Sequence, residues 1–295
     1  MNLLIFLLAY MVRRKLDRRD RLNADRFWRW LFHRFRRTPA GDSQRVWPGL
    51  MLIAVAPALL LLMEAGLAAA GWRAAAYPVE FAVLVLALGA PGWQQVFAAY
   101  TRAWRRGDMQ GAWYSAKASL SPEARGAAAT PESVHVKFAG RFMVNVFERY
   151  FLIVFWYAIG GIAAALLARS VIALRDHWPR KAARTRYARM AALVSWLPAR
   201  LLVLTFGLAG DLAGWSKQGR RHLLSAAVNV ETVLVHSADS ALTGYALSPG
   251  KFASLHPDEW LDFGRRSLQA VRDLLNRSML VWVCGFALLV IAGIL

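Results

Sequence analysis

The chain has 295 residues, of which 57% are hydrophobic, more than the roughly 45–50% of an ordinary soluble domain, and this excludes a water-soluble enzyme. The 37 Lys and Arg outnumber the 18 Asp and Glu, for a net charge of +19. In a soluble chain that would point to nucleic acid, but here the basic residues crowd the segments between apolar runs, as in loops that face anionic lipid, so no nucleic-acid partner is expected.

Residues 1–12, MNLLIFLLAYMV, are apolar but fall short of the ~20 residues that a spanning helix needs. Without a basic n-region or a small-residue cleavage pattern, they read as a retained stub and not as a signal peptide. Residues 13–45 interleave Arg13, Arg14, Lys15, Arg18, Arg26, Arg29 and Arg34 with Phe27, Trp28, Trp30, Phe32 and Phe35, which predicts a basic amphipathic helix on the cytoplasmic surface. Residues 46–71 are long enough to span, with Trp47 at the edge and Pro57 as a kink. Residues 77–100 return after a poorly charged connector, and the GAPG run at 89–92 predicts an early end or a bend.

Residues 101–144 are basic and are assigned to the cytoplasm. The next span is 146–168, whose AIGGIAAALLA face lets another helix approach closely, in a second copy of the chain or a partner protein. The basic segment 169–189 then conflicts with the charge rule: either it lies outside despite its charge, or one apolar run does not cross. Residues 190–210 hold Pro198 and Arg200 in their middle and read equally as a span or a re-entrant helix. Residues 211–276 are polar, and from Pro257 they form an amphipathic helix that leads into the last span, 279–295. The expected fold is all-α: a single polytopic membrane domain over 1–295, with four to five spanning or re-entrant helices and amphipathic interfacial helices. No inverted repeat is visible, which argues against a transporter.

Motifs for soluble chemistry are missing. The single cysteine, Cys284, excludes an intramolecular disulfide and thiolate metal sites. The segment from Gly244 to Lys251 has five residues between its glycines and Phe252 after the lysine. A P-loop needs four residues and then Ser or Thr, so an ordinary Ser-Pro-Gly turn is the better reading. The six histidines lack metal-ligand spacing and read as surface or interfacial, no G-x-S-x-G elbow occurs, and neither metal nor cofactor is expected. The sharper signal is charge in apolar surroundings: Glu64, Glu148, Arg149 and Arg200. A lone ionised group in a span costs ~2.5–3.5 kcal/mol even on the lenient insertion scale, so such groups pair or line a cavity. Pro198 frees a backbone carbonyl that Arg200, two residues later, could satisfy; Arg200 could equally bind a carboxylate or phosphate.

Two segments carry a family resemblance. Ser195-Trp-Leu-Pro-Ala-Arg-Leu201, followed by the small-residue stretch 207–214, is similar to the (D/N)-x-(L/I/V)-P-(A/V)-R-L segment of the AmpE family, and Asn145-Val-Phe-Glu-Arg-Tyr-Phe151 to its lead-in to the next span. The overall layout is similar as well. The resemblance implies a multi-pass protein of the bacterial inner membrane linked to regulation of inducible β-lactamase. It also places the chain in a superfamily with the CobD/CbiB-type membrane enzymes, which use ATP to attach an aminopropanol-type arm to a corrinoid. The E-N-x-x-D-G, G-R-D-T and N-H-x-S-P-N runs of that enzyme branch are missing, which argues against ATP-dependent amide synthesis. The expectation is therefore a regulatory membrane protein whose polar cavity binds a small anionic ligand, with Arg200 as clamp and Asn145, Glu148 and Arg149 as lining. The alternative is a membrane amide synthase of the cobalamin-biosynthesis type.

Overall fold

The computed structural model describes residues 2–18, 24–34, 46–89, 92–120, 125–126, 130–219, 223, 228–242 and 246–293. In chain order the helices are α1 (Asn2–Arg18), α2 (Ala24–Arg34), α3 (Trp47–Ala69), α4 (Tyr77–Ala87), α5 (Trp93–Arg105), α6 (Met109–Lys117), α7 (Pro131–Val146), α8 (Leu152–His177), α9 (Lys181–Ala209), α10 (Leu212–Lys217), α11 (Val230–Ala241), α12 (Pro249–Leu255) and α13 (Trp260–Ile291). No strand occurs among the described residues.

Four helical stretches are long and apolar enough to cross a membrane: Trp47–Ala69, Pro131–His177, Lys181–Ala209 and Pro257–Ile291. The chain is an all-α, polytopic membrane protein. Only 11% of the apolar window of α3 is buried, and Met51, Val55, Leu59 and Leu62 stand exposed, as suits a helix that meets hydrocarbon on most of its circumference.

The chain divides into two compact units, Met1–Pro91 with Glu148–Pro198 and Phe286–Leu295, and Gly92–Phe147 with Ala199–Gly285. In the first, α3 and α4 pack on α8, α1 packs on α4, and α2 docks on α8. In the second, α5 packs on α6, α7 packs on α6 and α11, and α10 sits on α11.

Several boundaries differ from those read in the sequence. Residues 77–100 do not form one spanning helix: α4 has 11 residues, about 16 Å at 1.5 Å per residue, too short for ~30 Å of hydrocarbon. Of the GAPG run, residues 90 and 91 lie outside the described residues. The basic segment 169–189 is not a loop, because α8 continues to His177 and α9 begins at Lys181. Pro179 enforces the stop between them: the preceding Trp178 is extended (ψ 135°), the conformation that a following proline demands. All but the last of residues 190–210 lie within the single helix α9, which continues through Pro198 and ends at Ala209. The stub 1–12 opens α1, which runs on to Arg18. Of the basic segment 13–45, residues 19–23 and 35–45 lie outside the described residues.

Three local features shape the helical stretch Pro131–His177. Thr130 caps α7 by accepting from the Ser133 N–H, and the Ser133 side chain accepts in return from the Thr130 N–H, so two otherwise unpaired donors are satisfied. A single π-helical turn, Phe147–Phe151, joins α7 to α8. Such turns widen the helix by one residue and redirect its side chains. Within α8 the chain leaves helical geometry at Gly160 and Gly161, the latter at φ 65°, where a glycine is needed.

Candidate functional site

The first unit holds a lattice of ion pairs around the π turn. Asp25 of α2 accepts two hydrogen bonds from Arg149 (2.6 and 2.8 Å) and one from Arg169 (2.8 Å), and His177 Nε2 lies 3.6 Å away. Burial alone would raise the Asp25 carboxyl, but the hydrogen bonds from His177 and Arg149 and the charges of Arg149 and Arg169 outweigh it and hold the group well below the usual carboxylate range. Glu148 receives both terminal nitrogens of Arg175 (2.5 and 2.8 Å), the bidentate geometry that makes Arg and carboxylate a strong pair. Tyr150 donates to Asp17 (2.5 Å), and Asp17 also pairs with the fully buried Arg13. Arg13 in turn donates to the Val85 carbonyl.

Successive residues Glu148, Arg149 and Tyr150 of the π turn thus reach three different partners, Arg175, Asp25 and Asp17. The lattice ties the amphipathic helices α1 and α2 to α8. On α2, Trp28 and Phe32 are buried while Phe27 and Trp30 are exposed, so one aromatic edge packs inward and the other is free for the lipid interface.

The second unit holds a buried hydrogen-bonded chain. Tyr100 Oη of α5 lies 3.0 Å from His135 Nδ1 of α7, and His135 Nε2 lies 2.8 Å from Ser267 Oγ of α13. Trp104 and Phe263 pack against the imidazole, which has no exposure, and Phe138 stacks on Tyr100. Burial pushes the Tyr100 hydroxyl up, so it stays protonated. Ser267 lines a cavity of about 440 Å³ whose walls include Asp211, His256, Phe263, Arg266 and Arg277.

Of the residues singled out in the sequence, Glu148 and Arg149 belong to the first unit, each engaged with its own partner, and Asn145 and Arg200 belong to the second. Arg200 is buried and donates through Nε to the Leu223 carbonyl (3.0 Å). The carbonyl that Pro198 deprives of its helical partner is that of Val194, and it accepts instead from the Trp156 indole (3.2 Å). The amide oxygen of Asn145 is buried without a hydrogen-bond partner among the described residues. Asp239 organises the Ser-Pro-Gly turn before Lys251, accepting from the Leu247 N–H and the Ser248 hydroxyl; residues 243–245 lie outside the described residues.

Sequence reasoning missed three residues. Asp25 is one of three acids, with Asp17 and Asp20, within a run of arginines, and nothing local marks it as their anchor. Arg13 reads as one of many surface cations and is fully buried. His135, read as surface or interfacial, is fully buried, and its partners lie 35 and 132 positions away.

The chain is 32% identical over 193 residues to the cobalamin biosynthesis protein CobD of Chromobacterium violaceum, a match that covers 60% of this chain and 58% of that protein. The chain therefore spans well under two thirds of that relative. No family model and no solved structure matches it. That relative carries a cobalamin-biosynthesis name, not that of the AmpE family.

Proposed function

We propose that this chain is a cobalamin-biosynthesis protein of the bacterial inner membrane, which joins an aminopropanol-type arm to a corrinoid carboxyl at the expense of ATP. The similarity to CobD over 193 residues carries this reading, and an all-α fold with four apolar helices supports it. In this reading Arg200 is an anion-binding or structural clamp and Asn145 a polar lining group. The basic segments 13–45 and 101–144 face the cytoplasm, residues 211–276 form the polar segment before the last span, and the small-residue face of α8 serves contact with a second copy or a partner protein.

One observation favours a second reading, an AmpE-like regulator of β-lactamase induction that binds its ligand without turnover. Glu148 is the carboxylate of the segment that stands where the enzyme branch has its acidic run, and it is held by both terminal nitrogens of Arg175, which takes it from metal–nucleotide chemistry.

The deciding experiment incubates purified full-length protein with ATP, Mg²⁺, a corrinoid with a free carboxyl and an aminopropanol-type amine, and follows the amide by mass spectrometry. Saturable amide formation, reduced in Arg200→Ala at normal protein level, supports the synthase. Corrinoid binding without product points to the regulator, which then requires altered β-lactamase induction when the gene is deleted. Neither binding nor product overturns the corrinoid reading.

A further inference from the structure

The ion pairs of the first unit fix the path of α8. Glu148 and Arg175 are 27 positions apart, which a straight helix would spread over about 40 Å, yet their side chains meet at 2.5 and 2.8 Å. Arg149 and Arg169, which a straight helix would hold about 30 Å apart, share the one carboxylate of Asp25. The two ends of α8 therefore lie side by side, and the chain reverses between them. The reversal is at Gly160 and Gly161, where the helical geometry is broken. Gly161, at φ 65° and ψ −162°, occupies a region open essentially to glycine alone. A Cβ on Gly160 would lie 2.7 Å from the Ala164 methyl, so neither turn residue tolerates a side chain without strain.

The level of the two ends follows from their neighbours. Tyr187 of α9 donates to the Val46 carbonyl (2.9 Å), and a Cβ on Gly49 would touch both Tyr187 and Leu174. The end of α8 thus lies beside the start of the spanning helix α3, where Trp47 is exposed, as suits the water–lipid boundary. From that level the first arm, Glu148 to Ile159, reaches about 16 Å and the second, Ile162 to Arg175, about 20 Å. These are half to two thirds of ~30 Å of hydrocarbon. At the tip Ile159 is exposed.

We infer that α8 is a re-entrant hairpin, which enters the membrane and returns to the same side, and that its mouth is latched by ion pairs in which the surface helix α2 is the bolt. One link joins the arms directly, Glu148 to Arg175. The other runs through α2, whose Asp25 takes Arg149 from the first arm and Arg169 from the second. This path removes the conflict that the sequence posed. The run 146–168 does not cross, so the basic segment 169–189 stays on the cytoplasmic side, as the charge rule requires. It also explains why so many ionisable groups occur at the two ends of an apolar segment: they meet at the boundary, pair with one another, and avoid the cost of standing alone in hydrocarbon. Displacing α2 would free one cation on each arm, which makes the mouth the part of the first unit poised to open.

The test uses full-length protein in sealed membrane vesicles of both orientations and a membrane-impermeant maleimide, with detergent-opened vesicles as the reference for full labelling. Cys284→Ser removes the single cysteine, and Lys137→Cys or Lys181→Cys, both at exposed positions, supplies the label site before or after the hairpin. Lys137 precedes Glu148 by about 16 Å of helix, too little to cross, so it reports the side on which the hairpin begins. Both sites are expected to label from the cytoplasmic face. Labelling from opposite faces means that 146–168 crosses and overturns the inference. The latch is read at Ser170→Cys, which is buried one position after Arg169. Its labelling rate is expected to rise about tenfold or more when Asp25→Asn or Glu148→Gln is added, and to stay unchanged with Arg189→Ala, which removes an exposed cation of α9. Equal rates in all of these, or a rise with Arg189→Ala as well, overturns the latch. The sidedness test changes only Cys284 and exposed lysines, so it stands even where a latch variant fails to fold. Neither readout involves amide formation, and the corrinoid reading stands or falls separately.

Discussion

Trp156 donates its indole N–H to the carbonyl of Val194, at 3.2 Å, four residues before Pro198. A proline inside a helix removes the N–H that would have bonded that carbonyl, and in a membrane no water is at hand to replace it. A tryptophan on α8 thus repairs the ladder of α9 and allows it to continue.

The pair predicts a measurable coupling. Trp156→Phe leaves the Val194 carbonyl unpaired and should cost about 1–3 kcal/mol. In a Pro198→Ala background, where residue 198 regains its own N–H, the same change should cost distinctly less. Denaturant unfolding of the four proteins in detergent gives the coupling energy, and additive effects would show that Trp156 does not serve this carbonyl.

Asp25 anchors α2 through two guanidinium groups that are almost fully buried. Asp25→Asn leaves both without their counter-charge and should destabilise the protein by about 3–5 kcal/mol, the range for breaking a buried pair. Because Asp25 is itself 20% exposed, the lower end of that range is expected. Thermal unfolding should show the loss, and limited proteolysis between α1 and α3 should show α2 released first; wild-type behaviour in both would remove the tether from the account.

The same carboxylate sets a pH dependence. Its pKa is depressed on folding, so it stabilises the fold fully above its unfolded value, about 3.9. That contribution is lost as the pH falls below this value towards the folded one. Between about pH 5 and about pH 3 the wild type should lose unfolding temperature more steeply than Asp25→Asn. Parallel slopes would mean that other carboxylates govern acid sensitivity.

In the second unit, the size of the penalty should follow the number of hydroxyl groups left stranded. Tyr100→Phe removes one hydrogen bond and should cost about 0.5–1.5 kcal/mol. His135→Ala leaves both Tyr100 and Ser267 unpaired beside a new void, for about 3–5 kcal/mol. Unfolding midpoints in detergent test this order, and a Tyr100→Phe penalty equal to that of His135→Ala would contradict it.

Gly89 has φ 107°, and a Cβ there would lie 1.7 Å from the Arg13 guanidinium. Gly89→Ala should therefore lower folded yield in the membrane more than Gly66→Ala, where nothing lies within 4 Å, because the first combines backbone strain with displacement of a buried cation. Comparable yields for the two variants would argue that the Arg13 site is compliant.

The helical framework was legible because its signals are local. The run 46–71 announced α3 by length alone, and Pro257 with its following acids announced the helix that becomes α13. The fate of 169–189 was not legible from the charge rule, which assumes that basic residues occupy loops. Here most of them lie on the ends of α8 and α9, joined by a short turn at Trp178 and Pro179. Arg200 was legible as unusual, but its partner was not: the expected carbonyl went to Trp156, and Arg200 reaches Leu223 instead.

By itself, the sequence determined that this is an all-α membrane protein with basic boundaries, since excess apolar surface and run length are properties of consecutive residues. Only the tertiary structure decided which charges pair with which. Arg149 and Asp25 are 124 positions apart, and His135 and Ser267 are 132 apart. Pairing over such distances depends on which helix faces meet, and no local pattern encodes that.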